Sequence, residues 1–396
     1  MTEKKTLAIL GSTGSVGCST LSVVAQHADS YDVFALTAST NVEKMLEQCL
    51  QLEPHIAIMA DEAAAELLTK KLKQQGCSTI VQGGQTALVE LMHYEQIQSV
   101  MVAIVGGVGL ESSLEAVRQG KQVMIANKEP LVMAGNLFML EAKKSGASIL
   151  PIDSEHNAIF QCLPYPVVDK KQIRRLILTA SGGPFLGRNW NDLIEITPEQ
   201  AIAHPNWKMG PKISVDSATM MNKGLELIEA THLFDIAAEK IDVLIHPESV
   251  IHSMVEYIDG SHLAQLGSPD MCIPIAHALA FPERIESGAK TLDFAKIGKL
   301  NFMQPEWSEI PCLKLAKQVA IVGGSAPIIM NAANEIAVAA FINKTISFTE
   351  IYEVIDTVVN KDFHSTPTTI SDILEVDVMA RNEAEFCVRQ MRSNSA

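Results

Sequence analysis

Short apolar runs alternate with longer amphipathic stretches through the first 150 residues of the chain. The runs lie at 6–10, 32–37, 55–59, 79–81, 99–105, 122–126 and 148–152, and we predict them to be strands. The stretches between them carry apolar residues at helical spacing, as in the interval 42–50. Repeated strand–helix units predict an α/β fold with a parallel sheet and right-handed crossovers, the Rossmann-type doubly wound arrangement.

The pattern changes after residue 150. We predict a helix over 156–163 and a strand over 173–179, which ends in Ser-Gly-Gly-Pro-Phe at 181–185, either an anion-binding backbone nest or a simple turn. Residues 186–211 lack clear periodicity, which indicates either a functional loop such as a lid or a packed surface loop. Apolar stripes at 351–359 and 376–391 predict a small helical bundle in the last part of the chain.

The composition is that of an ordinary globular protein of two or three domains, with 396 residues, 47% hydrophobic and 19% charged. A formal net charge of −15 without a basic tract argues against nucleic acid as a partner. No apolar run reaches the roughly 18 residues that span a membrane, and we expect no export signal. The 7 scattered cysteines form no Cys-x-x-Cys, which fits reduced thiols in the cytoplasm rather than disulfides or a zinc site.

A glycine-rich segment, Gly-Ser-Thr-Gly-Ser-Val-Gly at 11–17, follows the first predicted strand and opens the first helix. Its glycines suit a tight turn, a close backbone approach to a ligand and close helix packing. The helix N-terminus offers N–H groups to a pyrophosphate, and the hydroxyls of Ser12, Thr13 and Ser15 add donors. A plain tight turn is the alternative, but the flanking strand and helix favour a dinucleotide site.

The end of the second predicted strand bears on the choice of dinucleotide. Folds that prefer NAD usually place an acid there to bind the ribose 2′-hydroxyl. Here the residues are Ala-Ser-Thr-Asn at 38–41, and the missing acid favours NADP. No Lys or Arg stands at this point either, and Lys44 is the nearest cation, so these residues alone support the preference only weakly.

Two carboxylates, Asp153 and Glu155, follow the last strand of this region. On an extended segment their spacing places both on one side, which suits a divalent cation such as Mg²⁺ or Mn²⁺. The alternative is a solvated strand end with scattered acids. Lys128, in Asn-Lys-Glu-Pro at 127–130, ends another predicted strand and either points into a ligand crevice or lies in a surface turn.

The segment 213–226 is the densest polar stretch of the chain. If a helix begins there, Ser217 caps it, with Lys223 close to the same anion site. Asn222, Lys223 and Glu226 would then share one helix face. Glu226 is a candidate third ligand for a metal held by the carboxylates at 153 and 155.

Taken in order along nearly the whole chain, these motifs resemble the 1-deoxy-D-xylulose 5-phosphate reductoisomerase family. The motifs are Gly-Ser-Thr-Gly-Ser-Val-Gly at 11–17, Ala-Asn-Lys-Glu at 126–129, Asp-Ser-Glu-His at 153–156, Ser-Gly-Gly-Pro-Phe at 181–185, His-Pro-Asn-Trp-Lys-Met at 204–209, Asp-Ser-Ala-Thr-Met-Met-Asn-Lys-Gly-Leu-Glu at 216–226, Leu-Gly-Ser-Pro-Asp-Met at 266–271 and Asn-Ala-Ala-Asn-Glu at 331–335. The resemblance implies conversion of 1-deoxy-D-xylulose 5-phosphate to 2-C-methyl-D-erythritol 4-phosphate in isoprenoid precursor biosynthesis. The substrate would rearrange to an aldehyde, which NADPH would then reduce.

The resemblance also implies how the protein is organised. We expect an NADPH-binding Rossmann domain over 1–150, a catalytic α+β domain with a flexible lid over 151–285, a linker over 286–311 and a C-terminal helical domain over 312–396. The implied state is a cytoplasmic homodimer that acts on a small phosphosugar, with neither a nucleic-acid nor a membrane partner.

Roles for single residues follow from the same resemblance. Asp153, Glu155 and Glu226 would chelate one Mg²⁺, Mn²⁺ or Co²⁺, and Lys128 would complete the catalytic set beside the reacting oxygens. The substrate-binding set is Lys128, Glu129, Ser154, Glu155, Ser181, His204, Trp207, Ser217, Asn222, Lys223 and Glu226. The phosphate clamp within it is Ser181, Ser217, Asn222 and Lys223, and the lid is His204, Trp207 and Met209. The cofactor-binding set is Thr13, Gly14, Ser15, Val16, Ser39, Thr40, Asn41, Asn127, Glu129, Gly210 and Met271.

Some positions depart from the family's usual pattern. Gly-Lys-Asn is usual where Ser-Thr-Asn stands at 39–41, which leaves the strength of NADP selectivity open. Pro130 and Cys272 stand where a serine and a basic residue are common. Two other classes stay in view. An NADP-dependent dehydrogenase of an amino-acid pathway would explain residues 1–150 but not the three carboxylates, and a nucleotide sensor without turnover would explain neither them nor Lys128.

Overall fold

The computed structural model describes residues 4–164, 169–203, 210–361 and 365–395. The chain divides into two compact units. The first unit contains Met1–Pro130, Phe138–Asn157 and Asp270–Lys290, and the second contains Leu131–Leu137, Ala158–Pro269 and Thr291–Ala396. The predicted four-part domain division stays a prediction. None of the described helices combines the length and apolar character that crossing a membrane would require.

The strands and helices are numbered in chain order. The strands are β1 (Lys5–Leu10), β2 (Tyr31–Ala38), β3 (Ile56–Met59), β4 (Ile80–Gly83), β5 (Ser99–Val102), β6 (Gln122–Ile125), β7 (Ser148–Pro151), β8 (Ile173–Ala180), β9 (Ile241–Ile245), β10 (Ile251–Tyr257) and β11 (His262–Leu266). The helices are α1 (Ser15–Gln26), α2 (Val42–Leu52), α3 (Glu62–Gln74), α4 (Gln85–Glu90), α5 (Leu110–Arg118), α6 (Glu129–Ser145), α7 (Ser154–Cys162), α8 (Pro198–Ile202), α9 (Pro211–Ala218), α10 (Met221–Phe234), α11 (Cys272–Ala280), α12 (Phe294–Ile297), α13 (Pro311–Val322), α14 (Ala326–Ile342), α15 (Glu350–Val359) and α16 (Ile370–Ser395).

The first unit is built on a seven-stranded sheet in the order β4-β3-β2-β1-β5-β6-β7. Every neighbouring pair of these strands is parallel. Strands β3 and β5 and most of β1 are buried, as expected where helices cover both faces of a sheet. The predicted doubly wound fold is therefore confirmed. The strand order reverses between β1 and β5, and ligands of such sheets bind outside the carboxyl ends of the strands at that point.

The second unit combines a sheet with a helical bundle. Its four-stranded sheet has the order β11-β10-β8-β9, with β8 and β9 parallel and β10 antiparallel to β8 and β11. One core forms where α10 packs against this sheet through Leu227 and Phe234. A second core joins α9, α10 and the helices α13 to α16 around Phe341 and Phe348. The apolar stripe of α15 is buried in this core, which confirms the predicted bundle.

Residues 186–211 are partly helical rather than one irregular loop. Helix α8 begins at Pro198 and α9 begins at Pro211. Proline suits the first position of a helix because its missing N–H would have no partner there. Pro211 therefore marks a helix start and is not evidence of a loop, whereas Pro205 lies outside the described residues. The predicted lid residues His204, Trp207 and Met209 lie outside the described residues, and the lid stays a prediction.

Candidate active site

The glycine-rich loop lies at the switch point of the first unit, between β1 and α1. Gly11 has a φ of +83°, and a Cβ at this position would lie 2.5 Å from the carbonyl oxygen of Ala103. A Cβ on Gly17 would lie 2.4 Å from the carbonyl oxygen of Gly11. Both glycines are thus required by close packing, and the loop leaves Gly14 and Ser15 exposed at the start of α1. This geometry fits a pyrophosphate bound to the helix N-terminus.

The hydroxyl of Ser12 does not face this loop surface, contrary to the expectation that it adds a donor. Ser12 is fully buried, and its hydroxyl lies 2.7 Å from Oε1 of Gln48, to which it donates. The Gln48 amide in turn donates to the Ser12 carbonyl oxygen at 2.9 Å. Ser12 therefore connects the loop to α2 through these hydrogen bonds. Thr13 and Ser15 remain as the candidate hydroxyl donors to a bound pyrophosphate.

The segment with Asp153 and Glu155 is the start of a helix and not an extended strand end, so that expectation was wrong. Strand β7 ends at Pro151 and α7 begins at Ser154. One carboxylate oxygen of Asp153 accepts a hydrogen bond from the Glu155 N–H at 3.2 Å. Short polar side chains favour such positions because they satisfy free N–H groups of the first helical turn. The two carboxylates are therefore placed by a helical turn and not by strand alternation.

Lys128 and Asp153 form a buried ion pair at the carboxyl edge of the first unit's sheet. Lys128 Nζ lies 3.0 Å from Asp153 Oδ2, and the two side chains are 11% and 9% exposed. Asp153 Oδ1 lies 3.1 Å from Nδ1 of the buried His156. Lys128 follows β6 in a segment where Asn127 and Glu129 are also buried. Of the two alternatives for Lys128, the structure thus excludes the exposed surface turn.

Ser217 does not cap a helix, contrary to expectation. It lies near the C-terminal end of α9, and α10 begins only at Met221. The break between them is Met220, whose φ is +63°. A left-handed methionine gives no signal in a sequence, because glycine and asparagine usually occupy such positions.

The predicted shared face of Asn222, Lys223 and Glu226 is confirmed within α10. The Asn222 amide and the Lys223 ammonium both donate to the Glu226 carboxylate. Lys223 and Glu226 are buried. The second unit therefore holds a carboxylate whose charge is already balanced by an ammonium three residues away.

The Ser-Gly-Gly turn after β8 contacts the end of α9. The Gly183 N–H donates to the Ser181 hydroxyl oxygen at 3.2 Å. Gly183 has a φ of +69°, and a Cβ there would lie 2.7 Å from the carbonyl oxygen of Ser217. Gly183, which is hydrogen-bonded to Ser181, thus packs against the backbone of Ser217 in the second unit, and no other residue could replace it without displacement.

The other predicted cofactor residues lie at ends of elements. Ser39, Thr40 and Asn41 are exposed after β2, and the Asn41 side chain caps α2 by accepting a hydrogen bond from the Lys44 N–H. Met271 immediately precedes α11. Gly210 is exposed and immediately precedes α9. Their roles stay predictions.

Sequence reasoning missed a buried pair that supports the strand end before Asp153. The Asn157 amide donates to the Pro151 carbonyl oxygen at 2.9 Å and lies 3.2 Å from Nδ1 of His277. Burial, and then the charge of Arg284, lower the pKa of His277 from 6.5 to about 4. The neutral ring has a bare Nδ1 that can accept this hydrogen bond. A single histidine on the apolar helix α11 was the only signal of the pair in the sequence.

His277 makes the stability of the protein depend on pH in a defined window. Because its folded pKa is depressed, its stabilising contribution is complete above about pH 6.5 and is lost as the pH falls towards about 4. Between pH 7.5 and 5.0 we expect the group to remove about 2 kcal/mol from the free energy of unfolding. Urea unfolding of the native protein and of His277→Gln at both pH values measures this difference. Equal losses in the two proteins would contradict it.

A doubly wound sheet with a packed glycine-rich loop at its switch point and a buried lysine–aspartate pair at its carboxyl edge defines a dinucleotide-dependent oxidoreductase. Family models match along most of the chain. The model for 1-deoxy-D-xylulose 5-phosphate reductoisomerase matches residues 7–135, the one for its C-terminal domain matches 149–234, and a further DXP reductoisomerase C-terminal domain matches 266–383. The chain belongs to the 1-deoxy-D-xylulose 5-phosphate reductoisomerase family.

Relatives and solved structures agree with this assignment over nearly the full length. The 1-deoxy-D-xylulose 5-phosphate reductoisomerase of Stutzerimonas stutzeri strain A1501 is 53% identical over 390 residues, which cover 97% of this chain and 98% of the relative. That of Paraburkholderia xenovorans strain LB400 is 52% identical over 387 residues, covering 98% and 96%.

A crystal structure of DOX-P reductoisomerase in complex with NADPH, fosmidomycin and magnesium is 45% identical, with a TM-score of 0.94 and coverage of 98% of this chain and 99% of that one. The enzyme from Zymomonas mobilis in complex with NADPH is 45% identical, with a TM-score of 0.91 and the same coverage.

Proposed function

We propose that this protein converts 1-deoxy-D-xylulose 5-phosphate to 2-C-methyl-D-erythritol 4-phosphate, using NADPH and a divalent cation. The observation that carries the proposal is the buried Lys128–Asp153 pair, which stands at the same sheet edge as the glycine-rich loop in the first unit. An amino-acid dehydrogenase would need the loop but would give no role to Asp153, Glu155 and Glu226 as a set of metal ligands. The solved relatives were crystallised with NADPH, with magnesium and with fosmidomycin, which supports the same assignment.

The nucleotide site is formed by the loop and the strand ends around it. Thr13, Gly14, Ser15 and Val16 bind the pyrophosphate, and the packing of Gly11 and Gly17 keeps their backbone N–H groups in position. The segment 39–41 lies beside the adenosine ribose. Asn127, Glu129, Gly210 and Met271 complete the cofactor set. NADPH held by these residues would supply the hydride for the reduction.

Asp153 and Glu155 of the first unit and Glu226 of the second are the proposed metal ligands. Their carboxylate oxygens are hard donors, which suit Mg²⁺, the ion named for the solved relative, and also Mn²⁺ or Co²⁺. A cation held by these residues would polarise the oxygens of the substrate. Lys128 holds its ammonium next to Asp153, where it stabilises negative charge that develops on those oxygens.

The substrate phosphate is bound in the second unit by Ser181, Ser217, Asn222 and Lys223. The contact of the Ser-Gly-Gly turn with Ser217 and the position of Lys223 beside Asn222 on α10 support this assignment. Glu129, Ser154, His204 and Trp207 contact the rest of the substrate. The lid excludes water from the aldehyde before its reduction.

Gly183→Ala tests the phosphate clamp. The added Cβ would meet the Ser217 carbonyl oxygen at 2.7 Å, so the turn that carries Ser181 must shift relative to Ser217. We expect KM for the phosphosugar to rise at least roughly tenfold. Gly187→Ala is the matched control, because Gly187 has a φ of +81° but no atom within 4 Å of an added Cβ. Both variants carry about 1–2 kcal/mol of backbone strain, which thermal unfolding measures. Equal KM values in the two variants would show that the turn does not position the clamp.

The decisive experiment measures NADPH oxidation with 1-deoxy-D-xylulose 5-phosphate before and after removal of divalent cations with EDTA. We expect turnover that stops without the cation and returns when Mg²⁺ or Mn²⁺ is added. Turnover of an amino-acid semialdehyde instead of the phosphosugar would support a simple dehydrogenase. NADPH binding without turnover of either compound would support a nucleotide sensor.

The protein functions as a cytoplasmic homodimer in this proposal. The location rests on the sequence resemblance. For the dimer, β11 is an edge strand of its sheet, with Leu263 50% exposed. An exposed apolar edge strand can pair with the same strand of a second copy. Analytical ultracentrifugation should give a dimer for the native protein and for Leu67→Asp, an equally exposed control, and a monomer for Leu263→Asp. A monomeric native protein would refute the dimer.

A further inference from the structure

The segment that should contact the 2′-phosphate of NADPH carries no cation. Ser39, Thr40 and Asn41 follow β2 and are exposed, and none of them can offer more than a neutral donor. A 2′-phosphate carries negative charge, which is usually matched by an Arg or Lys near this strand end. If the chain uses NADPH, as the proposed function requires, the matching charge has to come from another position.

Helix α2 turns one of its faces towards the glycine-rich loop. Gln48 on this face exchanges hydrogen bonds with Ser12 at 2.7 and 2.9 Å. Its amide nitrogen also lies 4.0 Å from Cys18 Sγ, in the first turn of α1. Because Gln48 is buried, this contact fixes how α2 lies against the loop.

Lys44 lies on the same face, one turn before Gln48, since residues four apart are neighbours on a helix. Helix α2 starts at the carboxyl end of β2, so going from Gln48 back to Lys44 moves towards the edge of the sheet where ligands bind. Lys44 therefore lies nearer to this edge than Gln48 does, with its side chain 40% exposed.

We propose that Lys44 binds the 2′-phosphate and is the residue that selects NADPH over NADH in this chain. The Lys44 backbone N–H donates to the Asn41 side chain at 3.1 Å, so the backbone of Lys44 is fixed relative to the end of β2. Its ammonium lies 2.9 Å from the carboxylate of Glu47, and the two side chains are 40% and 64% exposed. An ion pair this exposed contributes little, so a phosphate can replace Glu47 as the partner.

Glu47 opposes this selection. Its hydrogen bond and charge raise the pKa of Lys44, so the lysine is fully charged at neutral pH and the carboxylate competes with the phosphate for it. The two residues should therefore change cofactor preference in opposite directions when each is neutralised.

Binding of 2′,5′-ADP and 5′-ADP to the full-length protein, measured by isothermal titration calorimetry, isolates this contact because neither probe can react. Lys44→Met should lower the preference for 2′,5′-ADP roughly tenfold or more, and Glu47→Gln should raise it roughly two- to fivefold. Thr40→Lys in the Lys44→Met background should restore the preference. Lys71→Met is the matched control. Lys71 of α3 forms an ion pair with Glu43, which belongs to α2 like Lys44 and Glu47.

The outcomes separate this assignment from the proposed function. The assignment of Lys44 is supported if all variants bind 5′-ADP with unchanged affinity and only Lys44→Met loses the preference for 2′,5′-ADP. An unchanged preference in Lys44→Met, or a loss in Lys71→Met instead, overturns it while leaving NADPH use intact. Equal binding of both probes by the native protein overturns it together with the proposed use of NADPH.

Discussion

Glu226→Gln is expected to reduce turnover at least roughly a thousandfold and to weaken binding of the divalent cation. The substitution keeps the shape of the side chain but removes a hard anionic donor, and metal assistance of this kind supplies several kcal/mol of transition-state stabilisation. NADPH binding should stay near normal, because the nucleotide loop belongs to the first unit and Glu226 to the second. Steady-state kinetics, Mn²⁺ binding and nucleotide fluorescence measure the three quantities separately.

A control has to separate lost chemistry from lost stability. Glu226 is buried next to Lys223, and its neutralisation removes a counter-charge of that ammonium. Glu335→Gln removes another ion-paired carboxylate, 18% exposed, which pairs with Arg381 at 2.7 Å among the C-terminal helices. We expect it to lower the melting temperature with turnover retained. Full activity of Glu226→Gln in metal-depleted buffer would refute the proposed role of Glu226.

Lys128→Met is expected to lower kcat roughly 10²- to 10³-fold while metal affinity is retained or increases. The lysine supplies a positive charge to the reacting oxygens, and removal of one such donor has costs of this size in other enzymes. Its ammonium also competes with a cation for Asp153, at 3.0 Å, so its loss cannot weaken the metal site electrostatically. Glu226→Gln and Lys128→Met should therefore differ in metal binding although both lose turnover.

Lys121→Met is the matched control for this experiment. Lys121 is as buried as Lys128 and donates to the carbonyl oxygens of Tyr94 and Ile97 at 2.8 Å. It precedes β6 whereas Lys128 follows it, so the two lysines lie at opposite ends of the same strand. We expect Lys121→Met to destabilise the protein without a comparable loss of kcat. If Lys128→Arg restored no activity and Lys128→Met bound the cation more weakly, Lys128 would have to be regarded as part of the metal site's structure.

The short apolar runs of the sequence were sufficient to predict the sheet of the first unit, because strands that helices cover on both faces are buried along their length. The sequence pattern did not predict which hydrogen-bond partner a polar side chain has in the folded protein. Asp153 was predicted to lie on an extended segment after a strand, but its carboxylate accepts a hydrogen bond from the first turn of a helix. The Ser12 hydroxyl was predicted to donate to a bound pyrophosphate, but it donates to the side chain of Gln48, which is 36 residues away in the sequence. Distant partners of this kind leave no periodic signal.

The sequence predicted which residues belong to the candidate site, but not how most of them are arranged in space. Lys223 and Glu226 could be placed on one face because helical spacing determines it. The position of Ser217 could not, because it depends on the left-handed conformation of Met220. The hydrogen bond between Asn157 and His277 joins residues 120 apart, so only the folded chain reveals it.

The return of residues 270–290 to the first unit has a consequence for synthesis on the ribosome. Helix α11 packs on α1 and β7, yet it is translated only after residues 158–269 of the second unit. At typical translation rates this delay is on the order of ten seconds, during which the apolar surfaces that α11 will cover stay open. The part of the protein made first is therefore completed late, and a nascent chain stopped before residue 270 should be captured by chaperones and be sensitive to proteases.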